Sequence, residues 1–451
     1  MNPRIFREYD VRGVADRDLT DDVARAIGLA IGERAIGGTV AVGRACRLSS
    51  PRLFDALTAG VRVVADVLDI GIVPTPVAYF AQQLLEPAAT VMITGSHNPA
   101  EDNGFKVMIG PDTLHGAGIT AIGRRAAELL AAPQRSPRGT VTVTSVSEAY
   151  IAHAISELRL GPRKPRIVVD AGNGAGGPTA VALYTEMGFD VVPLYCDFDG
   201  RFPHHHPDPT QPENLSDLIT AVTYFNAELG IALDGDADRV GAVDATGRIL
   251  WGDELMILLG RALLAEVPDA CFVAEVKCSQ SLYDALPSCE MWKVGHSLIK
   301  ERMRETGAQL AGELSGHLFF AHRWLGFDDG IYAGARLLEL VSRSERTLVD
   351  LAADLPRMTN TPEIRIDCPD EEKFGVVARA TESLRGDPAV QSVITIDGVR
   401  ARFADGWGLL RASNTQPALV MRCEARNLGA LRAIKTMIEE HVARARETAP
   451  R

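Results

Sequence analysis

The sequence predicts an α/β protein of three or four domains whose final part, from about residue 358, changes to α+β. Three observations carry this. A chain of 451 residues exceeds what one hydrophobic core serves, at roughly 100–200 residues per domain. Up to about residue 357, short β-branched runs alternate with segments of helical period, the order that builds parallel sheets with covered faces. Beyond that point EIRIDCP, SVITIDGVRARF and ALVMRCEA read as sheet, accompanied by the helices EEKFGVVARATESL and LGALRAIKTMIEEHVARA.

The elements follow in order. The strand VAVGR (40–44) precedes SPRLFDALTAGVRVV, where Ser50 is placed to cap a helix and Pro51 sits in its first turn. VLDIGIV leads into the helix PTPVAYFAQQLL, and ATVMIT is a third strand, running out at Ser96. RIVVD (166–170) opens another unit, with a helix through VALYTEMG and a strand at VVPLY. IALD (231–234) ends a further strand, and CFVAEV (271–276) with the helix SLIKERMRETG (297–307) repeats the scheme. Seams are expected at the Pro- and Arg-rich APQRSPRG (132–139), near 247 and at RMTNTPE (357–363). The expected domains are therefore 1–139, 140–247, 248–357 and 358–451.

Bulk properties exclude several function classes. The net charge of −12 argues against nucleic acid or an acidic membrane surface as the general partner. Seven cysteines are scattered without a CxxC pair, the pattern of reduced thiols in a cytosolic protein rather than of a zinc knuckle or redox couple. MNPRIFREYDVRG is charged from residue 4 and lacks the apolar stretch of a signal peptide, so a cytoplasmic protein is expected.

Chemistry concentrates in a few stretches. In VMITGSHNPAEDNGFKV (91–107) an apolar run ends in a hydroxyl and an imidazole, Ser96 and His97, with Lys106 ten residues on. Sheets of this kind deliver their chemistry at the C-terminal ends of strands. Asp234, Asp236 and Asp238 follow IALD directly, and carboxylates at i, i+2 and i+4 in a turn can converge on one hard cation. An EF-hand is excluded by Arg239 at the sixth position and Ala245 at the twelfth. Arg411, Ser413, Asn414 and Thr415 form a plausible phosphate cradle. GELSGH (312–317) offers a carboxylate, a hydroxyl and an imidazole suited to neighbouring sugar hydroxyls. Gly172, Gly174 and Gly177 satisfy GxGxxG after a strand, so an NAD-dependent dehydrogenase is a second reading. His204–His206 lie in a Pro-rich stretch and read as a connecting loop; Ser96 lies in TGSHN, not in a hydrolase GxSxG.

Taken together, FREYDVRG, TGSHNP, NGFK, DGDADR, EVKCSQSL, WKVGHSLIK, GELSGH, GFDDG and RASNTQP resemble, in order and nearly end to end, the α-D-phosphohexomutase superfamily in its bacterial phosphomannomutase/phosphoglucomutase branch. The resemblance implies four domains around a central cleft, three related α/β mixed-sheet domains and a C-terminal α+β domain. It implies a phosphoserine enzyme that interconverts hexose 1- and 6-phosphates of mannose and glucose through a hexose 1,6-bisphosphate. Matched by position, Ser96 is the phosphoryl carrier. Asp234, Asp236 and Asp238 hold Mg²⁺ together with an oxygen on Ser96. Arg12, His97, Lys106 and Arg239 are the cationic groups around it, with Lys106 and His317 the candidates for general base. Tyr9, Lys277, His296, Glu313 and Ser315 face the sugar, and Arg411, Ser413, Asn414 and Thr415 clamp the other phosphate. A monomer acting on small hexose phosphates is expected, with phosphoglucosamine mutase the near alternative. The GxGxxG then looks like a tight turn.

Two departures stand out. The usual GRDxR is Gly43-Arg44-Ala45-Cys46-Arg47 here, which is expected to leave Arg44 and Arg47 without a local partner and to loosen the first domain. Ala237 replaces a frequent Gly, at little cost unless its φ is positive.

Overall fold

The computed structural model describes residues 1–133, 135–413 and 416–447, organised by four sheets. In the first, Thr39–Arg44 lies between Asp66–Ile72 and Ala89–Ile93, all parallel. Asp102–Ile109 runs antiparallel between Ala89–Ile93 and Val11–Val14. In the second, Arg166–Asp170 is flanked by the parallel strands Asp190–Leu194 and Leu229–Leu233, and Val240–Asp244 returns antiparallel. In the third, Phe272–Glu275 is flanked by Cys289–Trp292 and Leu310–Gly312, and Leu318–Phe320 returns antiparallel. The fourth sheet is antiparallel throughout, with the helices Asp370–Arg385 and Leu428–Glu447 packed on it.

The strand–helix alternation predicted parallel sheets; each of the first three instead carries one antiparallel return strand in the equivalent place. The consequence is functional. Parallel neighbours need a long crossover, whereas antiparallel ones can be joined by a few residues. The connections 94–101, 234–239 and 313–317 are thus short turns at the C-terminal end of a parallel strand. In the fourth sheet 413–417 joins Gly406–Ala412 to Ala418–Ala425. The motif loops around Ser96, the three aspartates and Glu313 are turns of this type.

Packing then sets the domains against each other. One face of the first sheet, with Val40, Val91 and Phe105, packs on Ile27, Leu53 and Ile119. Its other face carries the helix Thr75–Leu85, whose Val77, Tyr79 and Phe80 enter a core shared with Ile167 and Leu233 of the second sheet and with Leu255 and Tyr332 of the helices Gly252–Glu266 and Gly330–Arg343. The C-terminal domain docks through Trp407 and Leu409 on Val276.

Several local expectations are corrected. Val141–Val143 pairs with Asp66–Ile72, so the first sheet extends past the seam placed at 139. Ser50 is the first residue of the helix Ser50–Val61 rather than its cap, and both Ser49 and Ser50 accept bonds from Asn103 Nδ2. Arg44 is paired: it reaches Asp69 at 2.6 Å and lies over Phe54. Arg47 is buried and donates to the carbonyls of Ser96, Asn98, Pro99 and Asp102 at 2.5–2.8 Å, so it organises the Ser96 loop instead of loosening the domain. Ala237 has φ 59°, the left-handed region, at a cost of about 1 kcal/mol relative to Gly.

A buried carboxylate gives the fold a pH signature. Asp329 caps the helix Gly330–Arg343 and accepts from Tyr332 N–H, Tyr150 Oη and Trp324 Nε1. Burial outweighs these donors and pushes its carboxyl up to about 7. The folded state therefore keeps a proton that the unfolded chain releases near pH 4, and stability falls as pH rises through this window and levels off above it. Between about pH 5 and pH 7.5 the protein is expected to lose about 2 kcal/mol more than Asp329→Asn. Urea unfolding at the two pH values checks this, and equal losses would contradict it.

Candidate active site

Ser96 sits at the turn where two domains meet. Its φ is 46°, its N–H donates to Thr94 Oγ1 at 2.8 Å, and its Oγ donates to Asp234 Oδ2 at 2.7 Å. His97 Nδ1 lies 3.1 Å from the same Oγ. Burial, then the charges of Arg239 and Arg12, holds the His97 imidazole well below its usual value, so it is neutral. The approach of the two loops is backbone-close: a Cβ on Gly235 would come within 2.4 Å of the Ser96 carbonyl.

Asp234, Asp236 and Asp238 are fully buried and present oxygens within 4.8 Å of one another. Burial and the two neighbouring charges push the Asp234 carboxyl well above its usual range. For Asp236 and Asp238 burial acts in the same direction, but the Lys106 ammonium together with Thr75 (for Asp236) and His317 and Arg239 (for Asp238) holds both down. Lys106 Nζ lies 3.0 Å from Asp236 Oδ2 and also contacts Asp238 Oδ2. Asp236 Oδ2 further accepts from Thr75 Oγ1 at 2.6 Å and Thr94 Oγ1 at 3.0 Å. Its other oxygen, Oδ1, is buried without a hydrogen-bond partner among the described residues. A buried, unpartnered carboxylate oxygen beside a second carboxyl whose charge its neighbours oppose fits a hard divalent cation, which would neutralise both.

The third-domain loop closes the other side. His317 Nε2 is 3.1 Å from Asp238 Oδ1 and Nδ1 is 2.8 Å from Glu313 Oε2. Burial would lower this imidazole, yet the carboxylates, Asp238 foremost, raise it to about 9 against the opposing charge of Arg239, so it is an imidazolium at neutral pH. Arg239 Nε lies 3.0 Å from His317 Nε2, and its N–H reaches Asp234 Oδ1. Glu313 also accepts from Gly295 N–H (2.9 Å) and Ser315 Oγ (3.2 Å). Tyr9 reaches across from the first domain, donating to the Val294 carbonyl, and its ring faces His296, which faces His317 in turn. Burial drops His296 to about 4 despite the nearby Asp328. Arg12 pairs with Asp10, leaving Nη1 buried without a hydrogen-bond partner among the described residues.

The fourth loop is reached through Asp397, which accepts from Arg411 Nε (3.1 Å) and from Val294 N–H (3.0 Å). Ser413 gives its carbonyl to Lys373 Nζ at 2.6 Å. Asn414 and Thr415 lie outside the described residues. Lys277 is within ion-pair range of Glu275 and Glu363 and feels the charge of Arg411, joining this loop to Glu313. Arg411→Ala removes a charge-assisted contact worth about 1.5–3 kcal/mol, and the expected result is a KM for hexose 1-phosphate raised at least tenfold with the fold retained. Steady-state kinetics and thermal unfolding check it; an unchanged KM would place the phosphate grip elsewhere.

The structure thus brings together Ser96, His97, Lys106, Arg12, Arg239, the three aspartates and His317, with Tyr9, His296, Glu313 and Ser315 on their rim. Sequence reasoning assigned no site role to Thr75, Thr94, Arg47, Asp10, Lys300 or Asp328. Lys300 donates to Asp328 at 2.9 Å, and Asp328 stands beside Asp238 and His317. Asp328 and Asp10 were visible within GFDDG and FREYDVRG; the two threonines had no signal beyond a hydroxyl at a strand end.

The GxGxxG turn has no room for a dinucleotide. Ala175 N–H donates to the Gly235 carbonyl, a Cβ on Gly174 would meet that carbonyl at 2.8 Å, and one on Gly177 would meet the Cys196 carbonyl at 2.1 Å. The turn buttresses the acidic loop, and the dehydrogenase reading is set aside. His204 stacks on Tyr195 and His205 bonds Asp170, so the histidine run does not converge.

Three mixed α/β sheets, each lending one short turn to a serine–carboxylate centre, with an α+β domain docked beside them, define a phosphosugar mutase. The four domain models of the phosphoglucomutase/phosphomannomutase family match residues 3–124, 148–247 and 251–358 (alpha/beta/alpha domains I, II and III) and 363–441 (C-terminal domain). A phosphomannomutase/phosphoglucomutase of Pseudomonas putida is 43% identical over 98% of this chain and 96% of its own. A phosphoglucomutase of Neisseria gonorrhoeae is 42% identical over 96% and 95%. The crystal structure of a phosphoglucomutase/phosphomannomutase family protein from Burkholderia thailandensis superposes with a TM-score of 0.91 at 39% identity, covering 100% of this chain and 99% of that one. The chain belongs to the phosphoglucomutase/phosphomannomutase family, within the α-D-phosphohexomutases. It is an enzyme that interconverts hexose 1- and 6-phosphates. No helix among the described residues is long and apolar enough to cross a membrane.

Proposed function

We propose that this enzyme moves a phosphoryl group between Ser96 and either O1 or O6 of glucose and mannose phosphates, with a hexose 1,6-bisphosphate between the two half-reactions. The observation that carries the reading is the contact of Ser96 Oγ with Asp234 at 2.7 Å, beneath the loop holding Glu313 and His317. In the first half-reaction a sugar hydroxyl oxygen attacks the phosphorus carried by Ser96. The bond from phosphorus to Oγ breaks, the hydroxyl proton passes to a base, and Ser96 Oγ regains a proton. The bisphosphate then turns around, and its other phosphoryl group returns to Ser96.

The residues divide this work. Asp234, Asp236 and Asp238 would hold Mg²⁺, which supplies positive charge for the transferring phosphoryl group when bound. Arg12 Nη1, buried and without a hydrogen-bond partner among the described residues, is available for a phosphoryl oxygen. Arg239 adds a second guanidinium whose charge acts on Asp234, Asp238 and His97. Lys106 and His317 are both protonated here, which fits a donor that gives a proton to the departing oxygen and, once neutral, takes one from the next hydroxyl. Glu313 and Ser315 sit where neighbouring sugar hydroxyls would be read, with His296, Lys277 and Tyr9 around them. Arg411 and Ser413, with Asn414 and Thr415, would clamp the phosphate that is not being transferred. A monomer in the cytoplasm is the accompanying reading.

Glucose and mannose differ only at C2, and nothing in the Glu313 loop is dedicated to O2. The expected result is kcat/KM for the two 1-phosphates within about tenfold, or ~1.4 kcal/mol. Glu313→Gln is expected to weaken both in parallel, at least tenfold, because the lost contact is common to them. A coupled assay with glucose, mannose and glucosamine 1-phosphates checks this. Loss of only one sugar would show that Glu313 reads C2, and a preference for glucosamine would overturn the sugar assignment.

A further inference from the structure

Beside the Ser96 loop, but not opening on Ser96, lies a cavity of about 210 Å³ whose wall carries Arg4, Arg7, Arg12 and Arg17 with Asp18 and Asp102. Four guanidinium groups thus meet two carboxylates, in a chain where acidic residues outnumber Lys and Arg by 59 to 47. The two carboxylates are already engaged. Asp18 accepts from Arg17 at 2.8 Å, Val14 N–H at 3.1 Å and Asn2 Nδ2 at 3.2 Å. Asp102 accepts from Asn98 Nδ2 at 2.8 Å. The guanidinium groups of Arg4 and Arg7 make no ion pair or hydrogen bond with any described residue. Arg12, 7% exposed and paired with Asp10, forms the inner end of the wall toward the Ser96 site.

Arg4 is exposed and Arg7 half-buried, so both guanidinium groups are open to an anion from solvent, in a chain where carboxylates are abundant yet pair with neither among the described residues. Their planar forks match phosphate oxygens two at a time. At about 30 Å³ per water the cavity has room for about seven waters, enough for a phosphate group with part of its hydration shell and too little for a whole hexose bisphosphate. None of Ser96, Lys106, the three aspartates or Arg411 lines it, and Arg12 is the one lining residue it shares with the Ser96 site; Arg4, Arg7 and Arg17 belong to this cavity instead.

We propose that this cavity is a third phosphate site, taking one phosphate dianion as orthophosphate or as the phosphate end of a small metabolite. Asp102 links its wall to Asn98 of the Ser96 loop, so the ligand sits one hydrogen bond from that loop. Arginine modification by phenylglyoxal in the wild-type enzyme, read by peptide mass spectrometry over residues 1–17, tests the site. Millimolar orthophosphate, against chloride at matched ionic strength, is expected to slow labelling of Arg4 and Arg7 at least threefold. Calorimetry is expected to show one more bound phosphate for the wild type than for Arg4→Gln/Arg7→Gln, with turnover at saturating substrate retained. Shielding by glucose 6-phosphate as well would identify the phosphate end of a metabolite as a ligand; shielding by orthophosphate alone would identify the free anion. Unchanged labelling with both anions, or equal phosphate stoichiometry in the two proteins, would overturn the site.

Discussion

Ser96→Ala is expected to remove turnover, by at least about 10³-fold, while leaving the protein folded. Phosphate monoesters are among the most inert biological esters, and their hydrolysis needs acceleration of up to about 10²¹-fold. Without Oγ the path through a covalent carrier is closed, and no other hydroxyl takes its place: Thr94 Oγ1 is tied to Asp236 and to the Ser96 N–H. The fold survives because alanine meets the same backbone requirement at φ 46°, and Arg47 grips main-chain carbonyls rather than the serine side chain. A coupled assay with thermal unfolding in parallel checks both halves. Substantial turnover by a folded variant would remove Ser96 from the reaction.

Asp236→Asn is the second large effect. The substitution keeps the shape and an oxygen for Thr75 and Thr94, but removes one of three buried negative charges and the ion pair with Lys106. Loss of a ligand should cost more than the about 10–100-fold that outer partners of metal ligands cost. Magnesium affinity, by titration calorimetry, and kcat are expected to fall together by more than that. The wild type is expected to lose activity in EDTA and regain it with Mg²⁺. Full activity of the variant in metal-free buffer would reject a metal role for the triad.

The chemistry was legible in the sequence because each site loop is contiguous. Ser96 with His97, the aspartates at 234, 236 and 238, and Glu313 to His317 each occupy one tight turn, and a turn keeps its side chains together whatever surrounds it. What the sequence did not disclose is long-range. Strand–helix alternation predicts parallel sheets, yet the return strands Asp102–Ile109, Val240–Asp244 and Leu318–Phe320 follow short loops and carry no pattern of their own direction. Arg47 looked partnerless because its acceptors are backbone carbonyls about fifty residues away. Thr75 bonds Asp236 from 161 positions off, a contact fixed only when the helix Thr75–Leu85 packs into the shared core. The positive φ of Ala237 is set by the tight turn and buried packing of the acidic loop, and alanine gives no hint of it.

The central claim is that Ser96 carries the phosphoryl group, and intact mass of the enzyme with labelled substrate tests it most directly. The expected result is one added phosphate, about 80 Da, mapped to Ser96, exchanging with labelled hexose 1-phosphate and absent from Ser96→Ala. Stable label on another residue, or turnover by an enzyme that never carries phosphate, would contradict it.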